Sequence, residues 1–304
     1  MGQYEMTRMG FGLCNAPAIF QRLMNSVLQG LLWEECLVYL DDICIMSANA
    51  DQHIDRLERL LKRLATVGIL LKPSKCHLLQ RSIKLLGHII DREGTRPAPP
   101  KVKAIYDFVI SSRADIHTFL GMTGYYATYC PNYAEVTVPL RQLVHEKGPF
   151  VMTSKAEEAI HKLKVMLTSE PLLAHPDWDE PFEIHTDASG YAIGAVLCQV
   201  IGGKERVIGY YSRLLRDPEK KWDTTQKECL AVVWAVKKLR PYLYGRQFVI
   251  KTDHAALKWL LNLKDHTGRL MRWSLLLQDY NHIIVHRAGK KHGNADALSR
   301  LIYQ

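Results

Sequence analysis

Two short apolar runs, Val38-Tyr39-Leu40 and Ile43-Cys44-Ile45-Met46, meet at Asp41 and Asp42. Runs of this length broken by two turn-forming residues predict a buried β-hairpin with both carboxylates at its tip. From Asp51 to Val67 the period lengthens, and Ile54, Leu57, Leu60, Leu61 and Leu64 fall on one helical face that Gly68 ends. The stretch Gly94-Thr95-Arg96-Pro97-Ala98-Pro99-Pro100 reads as a stiff connector, because proline fixes its own φ and restricts the residue before it. Residues 101–147 predict a small helical region interrupted at Pro131 and Pro139, and a further helix is expected near 154–167 with a Ser or Thr cap. Pro171, Pro176 and Pro181 mark a second linker.

Beyond that linker the rhythm changes. Phe182 to Asp187 alternates as a strand does, and residues 193–200 and 206–212 predict two more strands, with Gly202-Gly203 as the turn between them. A helix is expected from Gln226 to about Arg240, then a strand from Phe248 to Asp253 and a late strand from His282 to His286. Three strands, a helix and a further strand predict a mixed sheet in which the helix bridges to a parallel partner.

Composition adds bounds. At 304 residues and 47% hydrophobic content, the chain has room for more than one cored domain. No apolar run reaches membrane-spanning length and no signal peptide precedes the first motif, so an intracellular setting, cytoplasmic or nuclear, is expected. The net charge of +9 suits a polyphosphate partner, although many basic proteins bind no nucleic acid. The 7 cysteines are scattered without a C-x-x-C pair, which argues against a disulfide framework or a zinc finger and for a reducing compartment. His282-x-x-x-His286 has finger-like spacing but lacks cysteine partners, so it reads as strand decoration.

The acids carry the chemistry. Asp41 and Asp42 repel each other when ionised, and a divalent cation removes that cost, although an Asp-Asp turn without any ligand is common. Thr186-Asp187 and Thr252-Asp253 each end a strand, so parallel neighbours would deliver both carboxylates to one sheet edge, where ligands collect in α/β sheets. Glu228 lies early in the intervening helix and Asp296 in a polar C-terminal segment. Four converging acids suggest a two-metal phosphodiesterase site with ions roughly 3.5–4 Å apart. Each acid also has a purely structural reading. Asp187 and Asp253 favour turns, Thr225-x-x-Glu228 matches a capping box, and Asp296 would cap a terminal helix.

Phe11-Gly12-Leu13-Cys14-Asn15-Ala16-Pro17 through Asn25, Tyr39-Leu40-Asp41-Asp42, Leu71-Lys72-Pro73-Ser74-Lys75-Cys76, Leu85 to Ile90, and Phe119-Leu120-Gly121 with Tyr125-Tyr126 occur in this order. Together they resemble the palm, primer grip and thumb of a reverse transcriptase of the gypsy-like long-terminal-repeat retrotransposon and retroviral group. Thr224 to Ala235 and His292-Gly293-Asn294-Ala295-Asp296-Ala297-Leu298-Ser299-Arg300 resemble the ribonuclease H of the same elements. The resemblance implies that Asp187, Glu228, Asp253 and Asp296 bind two Mg²⁺ ions, with Mn²⁺ as an alternative, and hydrolyse the RNA strand of an RNA–DNA hybrid. It implies a metal role for Asp41 and Asp42. It also implies contacts of Phe11, Gly12, Asn15, Pro17, Gln21, Tyr39 and Gly87 with template–primer nucleic acid. Ser189, Gln226 and Asn294 are candidates for sensing the 2′-hydroxyls, and His286 and His292 for assisting product release.

The implied fold is multidomain, α+β and α/β. It comprises a partial palm at 1–95, thumb and connection helices at 96–170, and a ribonuclease H-like mixed sheet at 171–304. Family polymerases carry a further catalytic aspartate upstream of the Phe11 segment, and no aspartate precedes Asp41 here. The expectation is therefore an N-terminally truncated segment with a working nuclease and without polymerase competence. The alternatives are an inactive nucleic-acid-binding remnant and a clipped piece of a full reverse transcriptase.

Overall fold

The computed structural model describes residues 9–10, 12–252 and 268–286. The chain divides into two compact units, residues 1–85 and 86–304.

In the first unit, helix α1 (Ala16–Val27) precedes the hairpin β1 (Cys36–Tyr39) and β2 (Asp42–Ile45), and α2 (Ala50–Thr66) follows. The Asn49 side chain caps α2 by accepting the Gln52 N–H, and Gly68, with φ at +69°, lies just past its end. Leu60 and Leu64 of α2 pack on Met24, Val27, Leu28, Leu31 and Cys36, whereas Ile54 and Leu61 of the predicted apolar face are exposed, at 54% and 43%. Strand β3 (Ser82–Leu85) closes the unit.

The second unit opens with the hairpin β4 (His88–Asp91) and β5 (Thr95–Pro97). Thr95 exchanges both backbone hydrogen bonds with Leu173, at 2.8 and 2.9 Å. A Cβ on Gly94 would lie 2.0 Å from the Leu173 carbonyl oxygen, so only glycine fits there. Helices α3 (Pro99–Tyr106), α4 (Arg113–Tyr125), α5 (Tyr133–Val136), α6 (Val138–His145) and α7 (Ser154–Thr168) build a core of Ile105, Ile116, Phe119, Leu140 and Leu163. Thr153 caps α7, the Ser-or-Thr cap that the sequence predicts. Pro139 stands in the first turn of α6, where a missing N–H is harmless.

The remaining strands form one five-stranded sheet. They are β6 (Phe182–Ala188), β7 (Ala192–Ile201), β8 (Lys204–Leu214), β9 (Phe248–Thr252) and β10 (His282–His286), in the spatial order β10-β9-β6-β7-β8. β6–β7 and β7–β8 are antiparallel, whereas β6–β9 and β9–β10 are parallel, which is the mixed sheet that the element order predicts. Between them run α8 (Asp217–Lys220), α9 (Thr224–Lys238) and α10 (Arg240–Leu243), and α11 (Arg269–Gln278) precedes β10. Strand alternation buries Phe182, Ile184, Phe248 and Ile250 against Val232, Val233 and Val236 of α9 and Leu277 of α11. On the far edge, Val207 and Tyr210 of β8 pack against the helical core, and the Ala134 N–H donates to Ser212 Oγ at 2.9 Å. Among the described residues, no helix is long and apolar enough to cross a membrane.

Candidate functional site

Asp187 stands on β6 directly opposite Gly194 of β7, whose lack of a side chain leaves room beside the carboxylate. Asp187 is exposed, and Thr186 before it is buried, as the two-residue period of a strand dictates. A shallow recess around Asp187 is lined by Asn132 and Glu135 of the helical region and by Ser189, Gly194 and Ser212. Asn132 and Glu135 carry no sequence signal, because they reach the recess only through packing of the α5 region on β8. Asn132 adopts the left-handed conformation at φ +52° that begins α5.

β9 runs parallel to β6 in the register Phe182↔Phe248 to His185↔Lys251, so both strands end at the same edge. Asp253 is the next residue after the end of β9 and lies outside the described residues, as do Asp296, Asn294, His292 and Phe11.

α9 brings Glu228 to this end of the sheet. Ala188, next to Asp187, packs into the cluster of Ile193, Leu215, Leu230 and Ala231, so the first turns of α9 cover the exit of β6. Glu228 shares a helix face with Val232 and Ala235 and is only 4% exposed. The helix is capped by Asp223, whose side chain accepts the Gln226 N–H at 2.8 Å. The capping box read from Thr225 and Glu228 is therefore corrected, because the helix begins at Thr224 and Asp223 takes the cap position.

The polar neighbours of the acids are committed within the protein. Ser189 Oγ accepts the N–H groups of Tyr191 at 3.3 Å and Ala192 at 3.1 Å, shaping the β6–β7 turn. Gln226 Oε1 accepts from Arg269 Nη1 at 3.1 Å, and the Arg269 guanidinium lies 3.6 Å from the centre of the Trp222 ring. His282 and His286 bound β10, consistent with the reading of that pair as strand residues.

In the first unit, Tyr39 pairs with Asp42, so the turn consists of Leu40 and Asp41. The expected pair at the tip is displaced by one residue: Asp41 sits in the turn and Asp42 opens β2. Both are exposed. Leu40 has φ +53°, which a two-residue hairpin turn normally reserves for glycine. Gln21 of α1 holds this turn. Its Oε1 accepts the Leu40 N–H at 2.6 Å, and its Nε2 donates to the Val38 carbonyl at 3.3 Å and to Asn25 Oδ1 at 2.9 Å. Tyr39 remains exposed, Asn15 precedes α1, and Pro17 stands in its first turn, with Gly12 at φ +87° upstream.

Gly87, at φ +79°, sits in a lattice of tyrosines. Tyr126 Oη donates to its carbonyl at 3.0 Å, and Tyr125 Oη donates to the Leu86 carbonyl at 2.6 Å. His88 stacks on Tyr125 and Tyr129, with Nδ1 2.9 Å from Tyr129 Oη, and burial holds its pKa below the usual value.

Residues 1–90 match the family of reverse transcriptases (RNA-dependent DNA polymerases), and residues 177–280 match the RNase H-like domain found in reverse transcriptase. Over 99% of its length the chain is 43% identical to the retrovirus-related Pol polyprotein from transposon 297 of Drosophila melanogaster. This chain belongs to the reverse transcriptase and RNase H-like segments of retrotransposon Pol polyproteins. Such a Pol segment is also 34% identical to that of Drosophila transposon gypsy over 98% of the chain, and 31% identical to the Tf2-3 polyprotein of Schizosaccharomyces pombe over 99%. It spans 28% of the transposon 297 polyprotein and 30% of the gypsy polyprotein. Among solved structures, the foamy viral protease-reverse transcriptase in complex with an RNA/DNA hybrid superposes with a TM-score of 0.77 at 21% identity, covering 93% of this chain and 39% of that one. The same viral protein in complex with double-stranded DNA gives 0.77, covering 93% of this chain and 60% of that one. These likenesses establish the multidomain mixed α/β fold of the Pol segment.

Proposed function

We propose that this chain cuts the RNA strand of RNA–DNA hybrids, with Asp187, Glu228, Asp253 and Asp296 as the ligands of two divalent cations. The observation that carries this reading is the parallel β6–β9 register, which sends the strand bearing Asp187 and the strand followed by Asp253 to the same edge, beneath the first turns of α9 that present Glu228. The donor set fits the ion. Carboxylate oxygens from separate elements suit Mg²⁺, which demands near-octahedral oxygen coordination, and Mn²⁺ accepts the same ligands. When bound, such ions activate water and stabilise the leaving oxygen. The protein's own part is to hold the acids apart on rigid elements, with Gly194 keeping space at Asp187.

In the same reading, residues 1–95 are a reverse-transcriptase palm in which Asp41 and Asp42 face a divalent ion and Gly12, Asn15, Pro17, Gln21 and Tyr39 lie toward template–primer. Gly87 lies at the primer grip of that palm, residues 96–170 are thumb and connection, and residues 171–304 are the ribonuclease H-like domain. The basic excess of the chain supplies phosphate contacts that position the hybrid without reading its sequence.

The deciding experiment incubates the purified chain with a labelled RNA–DNA hybrid and Mg²⁺, with EDTA and double-stranded RNA as controls. Metal-dependent cutting of the hybrid's RNA strand alone is the expected result. Asp187→Asn should abolish it while hybrid binding persists. Binding without cutting by the folded wild-type chain would make it a nucleic-acid-binding segment instead.

A further inference from the structure

Asp187 shares its sheet face with a second group of ligand-type side chains toward the other end of β6. Glu183 and His185 alternate on β6, and Cys198 of β7 is the register partner of Glu183. Their ligand atoms lie within 4.8 Å of one another, the one such trio of His, Cys, Asp or Glu among the described residues. Cys198 is 0% exposed, and the side chains of His185 and Glu183 are 10% and 15% exposed. Glu183 stands four residues before Asp187 on the same strand, about 13 Å away along it, and His185 two residues before, about 7 Å away, so the cluster adjoins the proposed nuclease acids without including them.

The distances have a specific meaning. His185 Nε2 lies 3.4 Å from Glu183 Oε2 and 3.6 Å from Cys198 Sγ. The nitrogen–oxygen separation is longer than the usual hydrogen bond of about 2.9–3.0 Å. It does fit the edge of a coordination tetrahedron. Zinc bond lengths to nitrogen, oxygen and sulfur place tetrahedral N–O and N–S edges at about 3.4 and about 3.6 Å. The neighbouring strand β8 bulges here. The β7–β8 register slips between Leu197 and Cys198, with Cys198 opposite Val207 and Leu197 opposite Gly209, leaving Ile208 as the extra residue. Bulges of this kind re-aim side chains and recur beside functional sites.

We propose that Glu183, His185 and Cys198 form a site for a borderline-soft divalent cation of the zinc class. A thiolate and an imidazole select such an ion over Mg²⁺, which the nuclease acids suit. Three protein ligands leave one position for water. Lys251 of β9 also bonds Glu183 Oε2, at 2.5 Å, and serves as the outer partner that orients the carboxylate toward the ion. The site joins β6 to β7 directly and to β9 through Lys251. These include both strands whose ends carry Asp187 and Asp253, so an ion here stiffens the support of the nuclease edge without contacting substrate.

The test uses the full chain with the exposed Cys14 and Cys76 changed to serine, so that surface thiols do not compete. Titration with Co²⁺ as a zinc stand-in should give a near-ultraviolet thiolate-to-cobalt charge-transfer band that saturates at one ion per chain. Zn²⁺ should bleach that band and raise the melting temperature by several degrees, and excess Mg²⁺ should do neither. Cys198→Ser should remove the band, and His185→Gln should weaken cobalt binding at least tenfold. Absence of the band in the folded protein overturns the proposal, and so does a band that survives Cys198→Ser. The first of these outcomes needs no variant in the site, so it stands even where Cys198→Ser fails to fold.

Discussion

Gln21 Oε1 accepts the N–H of Leu40 at 2.6 Å, so a side chain on helix α1 closes the turn that presents Asp41 and Asp42. The turn is strained, because Leu40 holds a left-handed φ of +53°. Its stability therefore depends on a bond made 19 residues earlier in the chain. Gln21→Ala should destabilise the first unit by about 1–2 kcal/mol, the cost of leaving a part-buried N–H unsatisfied. Leu40→Gly in the Gln21→Ala background should recover part of that loss, since glycine takes this φ without strain. Urea melts of the three proteins check both statements.

Asp223 caps α9 five residues before Glu228. Asp223→Ala should cost about 1 kcal/mol, whereas Asp223→Ser should be close to neutral. Because the cap fixes where the helix begins, the alanine variant should also cut hybrid more slowly at unchanged hybrid affinity. Single-turnover cleavage measured beside binding separates the two effects.

Glu228→Gln keeps the shape of a buried side chain while removing its charge. In the proposed nuclease the variant should lose about 10²–10³ in cleavage rate, the scale seen when one preorganised electrostatic group is removed. Its melting temperature should stay within a few degrees of the wild type. An unchanged rate would remove Glu228 from the reacting centre.

His88 is held below the ordinary imidazole pKa of 6.5 by burial among Tyr125, Tyr126 and Tyr129. A lowered folded pKa means that the neutral ring is the one the fold accepts. Its contribution to stability is complete above 6.5 and is lost as pH falls through the folded value. Amide hydrogen exchange around β4 and α4 should therefore accelerate below that pH more than exchange in α9. His88→Gln should flatten the difference.

Leu163 is fully buried in the helical core, and that core also receives Val207 and Tyr210 from β8. Leu163→Ala should cost about 2–5 kcal/mol. The loss should appear in the exchange rates of β7 and β8 as well as in the helices, because the two layers share contacts.

Much of this architecture is legible along the chain. The helix α2, the strand alternation from Phe182 and the glycine past α2 are local signals that periodicity reads correctly, although of the apolar face drawn for α2 only Leu60 and Leu64 are buried. A parallel partner for the strand after α9 is also legible from the strand–helix–strand order, but that this partner is β6 is decided by the sheet order β10-β9-β6-β7-β8. Features set by distant contacts are not. Leu40 takes a glycine conformation because Gln21 pays for the turn from another helix. Asn132 and Glu135 reach the recess at Asp187 only after α5 packs on β8. The capping box at Thr225 fits the sequence as well as the cap at Asp223 does, and only the packed helix shows that it begins two residues earlier.

The paired hydrogen bonds between Thr95 and Leu173, with Gly94 pressed against them, tie the first hairpin of the second unit to the strand-like segment just ahead of β6. The residues matched to the RNase H-like family begin at 177, yet the compact unit that contains them begins at 86. A recombination event that exchanged nuclease segments between related elements at the family boundary would separate Thr95 from Leu173 and the helical layer from β8. A crossover near residue 86 would instead transfer the compact unit whole.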